Sequence, residues 1–127
     1  MTSYEAPRKT VMLVDDDDDM RDVLATLLEE QHYDVVQAAN GAEALRLLEN
    51  GKGNCNVILL DLMMPVMNGW DFRLHQRQSP ALSKIPVVLM SSGAQIAFAV
   101  GGMDVAAYVS KPVEIADLID KVQRHCG

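Results

Sequence analysis

A chain of 127 residues, 49% apolar and 23% charged, can bury one hydrophobic core without metal or disulfide staples. Its net charge of −7 excludes the basic field that direct nucleic-acid binding needs. Its two cysteines, Cys55 and Cys126, form no CxxC or Cys/His cluster, which fits two unpaired thiols in a reducing, cytoplasmic compartment and no zinc site.

Residues 1–9 lack the apolar segment of a signal peptide and read as a disordered lead-in to one domain over 10–127. Val11 to Val14 is a short apolar strand that stops at five aspartates, Asp15 to Asp19. Met20, Val23, Leu24, Leu27 and Leu28 then fall on one face of a helix, with acidic residues at its N-terminus where the dipole favours them. Asp34 to Ala38 is a second strand. Asn40-Gly41 turns into the helix formers Ala42 to Leu48, and Asn50-Gly51 is expected to end that helix. Val57 to Leu60 is too short for a buried helix and reads as a strand buried on both faces, ending at Asp61. After Pro65 and Asn68-Gly69 comes a third helix, from about Trp70 to Gln78.

The run from Ile85 to Met103 carries no charge, but Pro86, Ser91-Ser92-Gly93 and Gly101-Gly102 interrupt it, so it is not read as a membrane span. Pro86 to Met90 is instead a fourth strand and Gln95 to Val100 a short helix. Ala106 to Val109 is a fifth strand, followed by Ser110-Lys111-Pro112. The last helix sets Ile115, Leu118, Ile119 and Val122 on one face. Five alternating strands and helices imply a doubly wound α/β fold with a parallel sheet, flavodoxin-like in strand order 2-1-3-4-5.

In such a sheet, ligands gather outside the carboxyl ends of the strands, near the point where strand order reverses. Four strand ends here present Asp15-Asp16, Asp61, Ser91 and Lys111. Crowded carboxylates raise one another's pKa and call for a cation. Mg²⁺ takes one or two carboxylates together with a phosphate oxygen. Lys111 adds a compact positive charge and Ser91 a hydroxyl donor. The chemistry that uses this set is phosphoryl transfer to Asp61, giving an acyl phosphate. A calcium loop beginning at Asp15 is excluded, because Met20 and Thr26 stand where its glycine and glutamate belong. Asp17, Asp18 and Asp19 read as solvated or helix-capping residues. His32, His75 and His125 have no partner at ligand spacing, and Trp70 reads as helix packing.

The motifs Val14-Asp15-Asp16, Asp61-Leu62-Met63-Met64-Pro65 with Asn68-Gly69, Ser91-Ser92 and Tyr108-Val109-Ser110-Lys111-Pro112 together resemble a response-regulator receiver domain of two-component signalling, similar to the single-domain chemotaxis regulator. The resemblance implies that Asp61 is the phospho-acceptor. Asp15 and Asp16 would hold Mg²⁺ with Asp61 and the main-chain carbonyl of Met63. Ser91 would be the switch hydroxyl, Lys111 the phosphate clamp, and Tyr108 either a core residue or the aromatic that turns inward on activation. It further implies a cis Lys111-Pro112 bond, a histidine kinase or phosphotransfer protein docking near the first helix, and a downstream protein target. If the sequence given is the whole chain, its output is expected to come through protein contact alone.

Three positions depart from the family pattern. Met63 and Gly93 stand where polar side chains can orient the water that attacks an acyl phosphate, which implies a long-lived phosphoryl state. Asp104 replaces a common glycine, and the apolar segment Gly93 to Met103, shorter and less polar than the family's fourth helix, is read either as a partner or homodimer surface or as a poorly formed helix. Of two rivals, the first stays open and the second is rejected. One is a pseudo-receiver that binds proteins independently of phosphorylation. The other is a phosphohydrolase of the haloacid-dehalogenase type, which needs a second aspartate where Met63 stands; the chain is accordingly read as not an enzyme.

Overall fold

Alternation along the strands decides the layers. In the computed structural model, which describes residues 8–52, 55–99 and 102–126, Val11 and Leu13 of β1 (Thr10–Val14) turn to one face of the sheet. Met12 and Val14 turn to the other, and all four are fully buried. The same period of two divides β3 (Val57–Asp61) and β4 (Val87–Ser91), both buried throughout. With β2 (Asp34–Ala38) and β5 (Ala107–Ser110) they form one parallel sheet in the order β2-β1-β3-β4-β5, the flavodoxin-like order expected.

One face packs against α1 (Asp18–Glu30) and α5 (Ile115–His125) through Leu24, Leu28, Leu118 and Val122. The other takes α2 (Gly41–Leu47), α3 (Gly69–Gln78) and α4 (Gly93–Ala99) through Ala44, Phe72 and Ala99. Each of the first three helices begins at a side-chain cap: Asp17 accepts from the Met20 N–H, Asn40 from Glu43 and Asn68 from Asp71. Asp17 thus caps, as its position suggested.

Several expectations shift. The second helix does not stop at Asn50-Gly51; it continues as a π-helical turn over Leu48–Lys52. β4 and β5 lie one residue further on than expected, so Ser91 and Ser110 are paired inside the sheet. The fourth helix starts at Gly93 rather than Gln95, and position 100 lies outside the described residues. The apolar stripe of α1 is wider than the face it buries: Leu24, Ala25 and Leu28 are inside while Val23 is 57% exposed. Of the expected lead-in, residues 1–7 lie outside the described residues. Lys9 is tied to the domain by its carbonyl, which accepts from the Asp34 N–H, and by its ammonium, which donates to the Cys126 carbonyl. Cys55 and Cys126 are free and buried, and burial pushes the Cys55 thiol up to about 12, away from reactivity.

Among the described residues, two non-glycine residues sit at positive φ. His32 (φ 70) follows α1, where the Tyr33 and His32 N–H groups close back on the Leu28 and Glu29 carbonyls in a Schellman pattern. Val66 (φ 66) is the centre of a three-residue turn closed by the Met67 N–H on the Pro65 carbonyl at 2.7 Å. A β-branched residue is strained in that region. Val66 is also 85% exposed, so little packing rewards it. Val66→Gly is expected to stabilise the fold by about 1 kcal/mol, the relieved strain exceeding the added chain entropy of glycine; urea denaturation checks this, and a destabilised variant would contradict it.

Candidate functional site at the carboxyl edge of the sheet

Register brings the site together. Val14 pairs with Leu60, so Asp15 and Asp61 leave the sheet at the same level on neighbouring strands; Asp61 pairs with Met90, and Ser91 with Ser110. Asp15, Asp61, Ser91 and Lys111 therefore meet at one edge, as the sequence suggested, beside the switch point between β1 and β3. Asp15, Asp61 and Ser91 are buried, whereas Asp16 is exposed at the rim.

The Lys111 ammonium lies 3.2 Å from Asp15 Oδ2 and 3.4 Å from Asp61 Oδ1, with 26% of its side chain exposed. The peptide bond that follows it, Lys111-Pro112, is cis. One cation faces two buried anions. Burial and then the Asp15 charge push the Asp61 carboxyl up to about 6, against the pull of the Lys111 ammonium and the Met63 backbone N–H. Burial opposes the charge on Lys111, but Asp61 and Asp15 outweigh it and hold the ammonium above its ordinary range.

The donor set suits a hard cation. Asp15, Asp16 and Asp61 each offer a carboxylate oxygen, and these oxygens lie within 4.8 Å of one another. A divalent ion at these oxygens would offset the burial and the Asp15 charge that push the Asp61 carboxyl up. Several contacts hold the carboxylates in place. Asp15 Oδ1 accepts from the Asp17 N–H at 2.9 Å, and the Arg21 guanidinium donates to the Asp15 carbonyl at 2.6 Å. At Gly69 a Cβ would stand 2.7 Å from the Asp61 carbonyl oxygen and 2.9 Å from Leu62 Cα. Only glycine lets α3 begin this close behind the acidic residue, with the Gly69 N–H donating to the Leu62 carbonyl.

Tyr108 is half-buried against the core, and its hydroxyl donates to the Met103 carbonyl at 3.4 Å, near the limit for such a bond. Met63 is 56% exposed, and Gly93 opens α4. Reading the residues alone missed three contributors: Arg21, the Met63 N–H, and Gln95, whose Oε1 accepts from the Ser91 hydroxyl. Gln95 carried a signal in its place, four residues beyond Ser91 and at the start of the helix expected there. Arg21 and the main-chain donor carried none.

The parallel sheet in this order, with carboxylates and a lysine gathered at its switch point, defines a flavodoxin-like α/β protein whose chemistry lies at the carboxyl edge. The family model of the response regulator receiver domain matches residues 11–123. The chain belongs to that family, whose members are the receiver modules of two-component response regulators. An uncharacterized 14.6 kDa protein of Leptolyngbya boryana is 34% identical over 121 residues, 91% of this chain and 88% of that protein. The CpxR homolog of Haemophilus influenzae, a transcriptional regulatory protein, is 33% identical over 89% of this chain, which spans 48% of that relative. The cyclic-nucleotide phosphodiesterase regA of Dictyostelium discoideum is 31% identical over 87% of this chain, which spans only 14% of that protein. In structure, the chemotaxis protein CheY4 of Vibrio cholerae matches with a TM-score of 0.81 at 25% identity, covering 94% of this chain and 99% of that one. No helix among the described residues is long and apolar enough to cross a membrane.

Folding raises the Asp61 pKa from 3.8 to about 6, so the folded chain holds that proton more tightly than the unfolded one. Stability from this group is present below its unfolded pKa and is lost as pH rises through about 6. In metal-free protein, Asp61→Asn is expected to be stabilising by roughly 2–3 kcal/mol at alkaline pH and close to neutral near the unfolded pKa. Urea unfolding in chelator across that range checks it; a gain independent of pH would contradict it.

Proposed function

We propose that this receiver accepts a phosphoryl group on Asp61 and that the new charge switches a protein-binding surface. The observation that carries the reading is the Lys111 ammonium within 3.4 Å of two buried carboxylates at adjoining strand ends. The alternative, a module that binds proteins independently of phosphorylation, has no use for two carboxylates held side by side at a cost in stability.

In the transfer, an ionised Asp61 oxygen attacks the phosphorus of a phosphohistidine, the P–N bond breaks, and the imidazole leaves and takes a proton. The product is the aspartyl phosphate. No general base is required once Asp61 is ionised. Lys111 stays beside the acceptor and offsets charge on the transferred group, while Ser91 supplies a hydroxyl donor. Asp15, Asp16 and Asp61, with the Met63 main-chain carbonyl, would hold Mg²⁺, which when bound neutralises charge on the phosphoryl oxygens.

The donor, a histidine kinase or phosphotransfer protein, would dock beside α1, where Val23 and Leu27 form a groove with Asp22 and Thr26. Tyr108 would follow Ser91 inward, changing the face built from α4, β5 and α5 for a downstream protein target. The exposed Phe98 on α4 fits a partner or a homodimer contact there. The setting is cytoplasmic, consistent with the two free thiols.

Incubation with acetyl phosphate is expected to add one phosphoryl group by intact mass in Mg²⁺, none in chelator and none to Asp61→Asn. Because neither Met63 nor Gly93 can orient an attacking water, the adduct is expected to outlast seconds in a dephosphorylation assay. An unmodified wild type would contradict the transfer, and decay within seconds the stable adduct.

A further inference from the structure

The buried hydroxyl at this edge is already committed. Ser91, 1% exposed, donates its proton to Gln95 Oε1 across 2.5 Å. A serine hydroxyl has a single proton to give. While this bond stands, Ser91 has none to offer a phosphoryl oxygen on Asp61. Gln95 belongs to the first turn of α4, where its N–H donates to Ser92 Oγ at 3.3 Å and the Ile96 N–H donates to the Ser92 carbonyl at 2.9 Å. The Ser91 bond thus joins the last residue of β4 to α4 by a side-chain path. On its other side, Gln95 lines a groove with Leu62, Met63, Trp70 and Phe98, next to the loop that follows Asp61.

We infer that Gln95 is a positioning residue that holds the Ser91 hydroxyl in its resting orientation, and that loss of this bond to a phosphoryl oxygen transmits phosphorylation to α4. This rests on Asp61 being the phospho-acceptor. The proton stays on the serine oxygen throughout, and only its acceptor changes. A phosphoryl oxygen wins the exchange because hydrogen bonds to ionised acceptors are about twice as strong as neutral ones. Gln95 is half-buried, so its released carboxamide can turn to the groove and to water. The first turn of α4 then loses its tie to β4. In the resting state the same bond opposes phosphorylation by the net value of one hydrogen bond, a factor of about five.

The test is a double-mutant cycle on the full chain, with rates of phosphoryl gain from acetyl phosphate in Mg²⁺ read by intact mass. Gln95→Leu removes the acceptor, and Ser91→Ala removes the donor. Gln95→Leu is expected to gain the group about fivefold faster than wild type, while Ser91→Ala and the double variant react at equal rates. A purely structural role for Gln95 would show the same change in both backgrounds. That result, or an unchanged rate in Gln95→Leu, overturns the inference and leaves Asp61 as acceptor. A wild type that gains no phosphoryl group overturns both.

Discussion

Two carboxylates, Asp15 and Asp61, are buried at the ends of adjoining strands with a single ammonium between them. Charges of like sign in a poorly solvated place repel strongly, and one lysine does not balance two aspartates. The fold holds them there regardless. β1 and β3 are so thoroughly buried that their register cannot slip without turning the core outward, and the register sets both carboxylates at one level. Gly69 and Arg21 then fix the two loops that leave those strands. The stability given up at this edge is what a cation bound beside Asp61 would restore.

The architecture was legible because its strands are buried on both faces and end abruptly at polar residues. Val57 to Leu60 stopping at Asp61 could be read with no structure at all. Strand order followed from the alternation of elements, and the meeting of Asp15, Asp61, Ser91 and Lys111 followed from strand order. Less legible was anything that depends on how far a pattern continues. The apolar stripe on α1 included Val23, which the sheet leaves exposed, because periodicity marks a face but not how much of it is covered. Asn50-Gly51, a strong stop signal, is overridden by a wider π-helical turn. His32 and Val66 adopt positive φ where glycine would be expected, so no residue type announced those turns. Arg21 and the Met63 N–H act through hydrogen bonds made across loops, which leave no trace in composition.

The departures from the family pattern have local explanations of unequal depth. Asp104 replaces a common glycine, yet it is not among the positive-φ residues, and its carbonyl accepts two hydrogen bonds from Arg73. Arg73 also donates to Gln76, itself buried and bonded to the carbonyls of Leu82 and Ile85. The loop before β5, whose Met103 carbonyl receives the Tyr108 hydroxyl, is thereby anchored to α3. Met63 and Gly93 leave the mouth of the site without a polar side chain of their own, while Gln95, one turn into α4, faces Ser91 instead. The Ser91 hydroxyl is thereby tied to α4 rather than left free at the mouth of the site.

Asp61 is destabilised as an anion by its burial and by Asp15, and a bound cation would relieve it. The most direct measurement is a carbon-13 NMR titration of the Asp61 carboxyl, with and without Mg²⁺. The expected midpoint is about 6 in metal-free protein, falling towards the ordinary carboxylate range when Mg²⁺ is present. A metal-free midpoint near 3.8, unmoved by Mg²⁺, would contradict it.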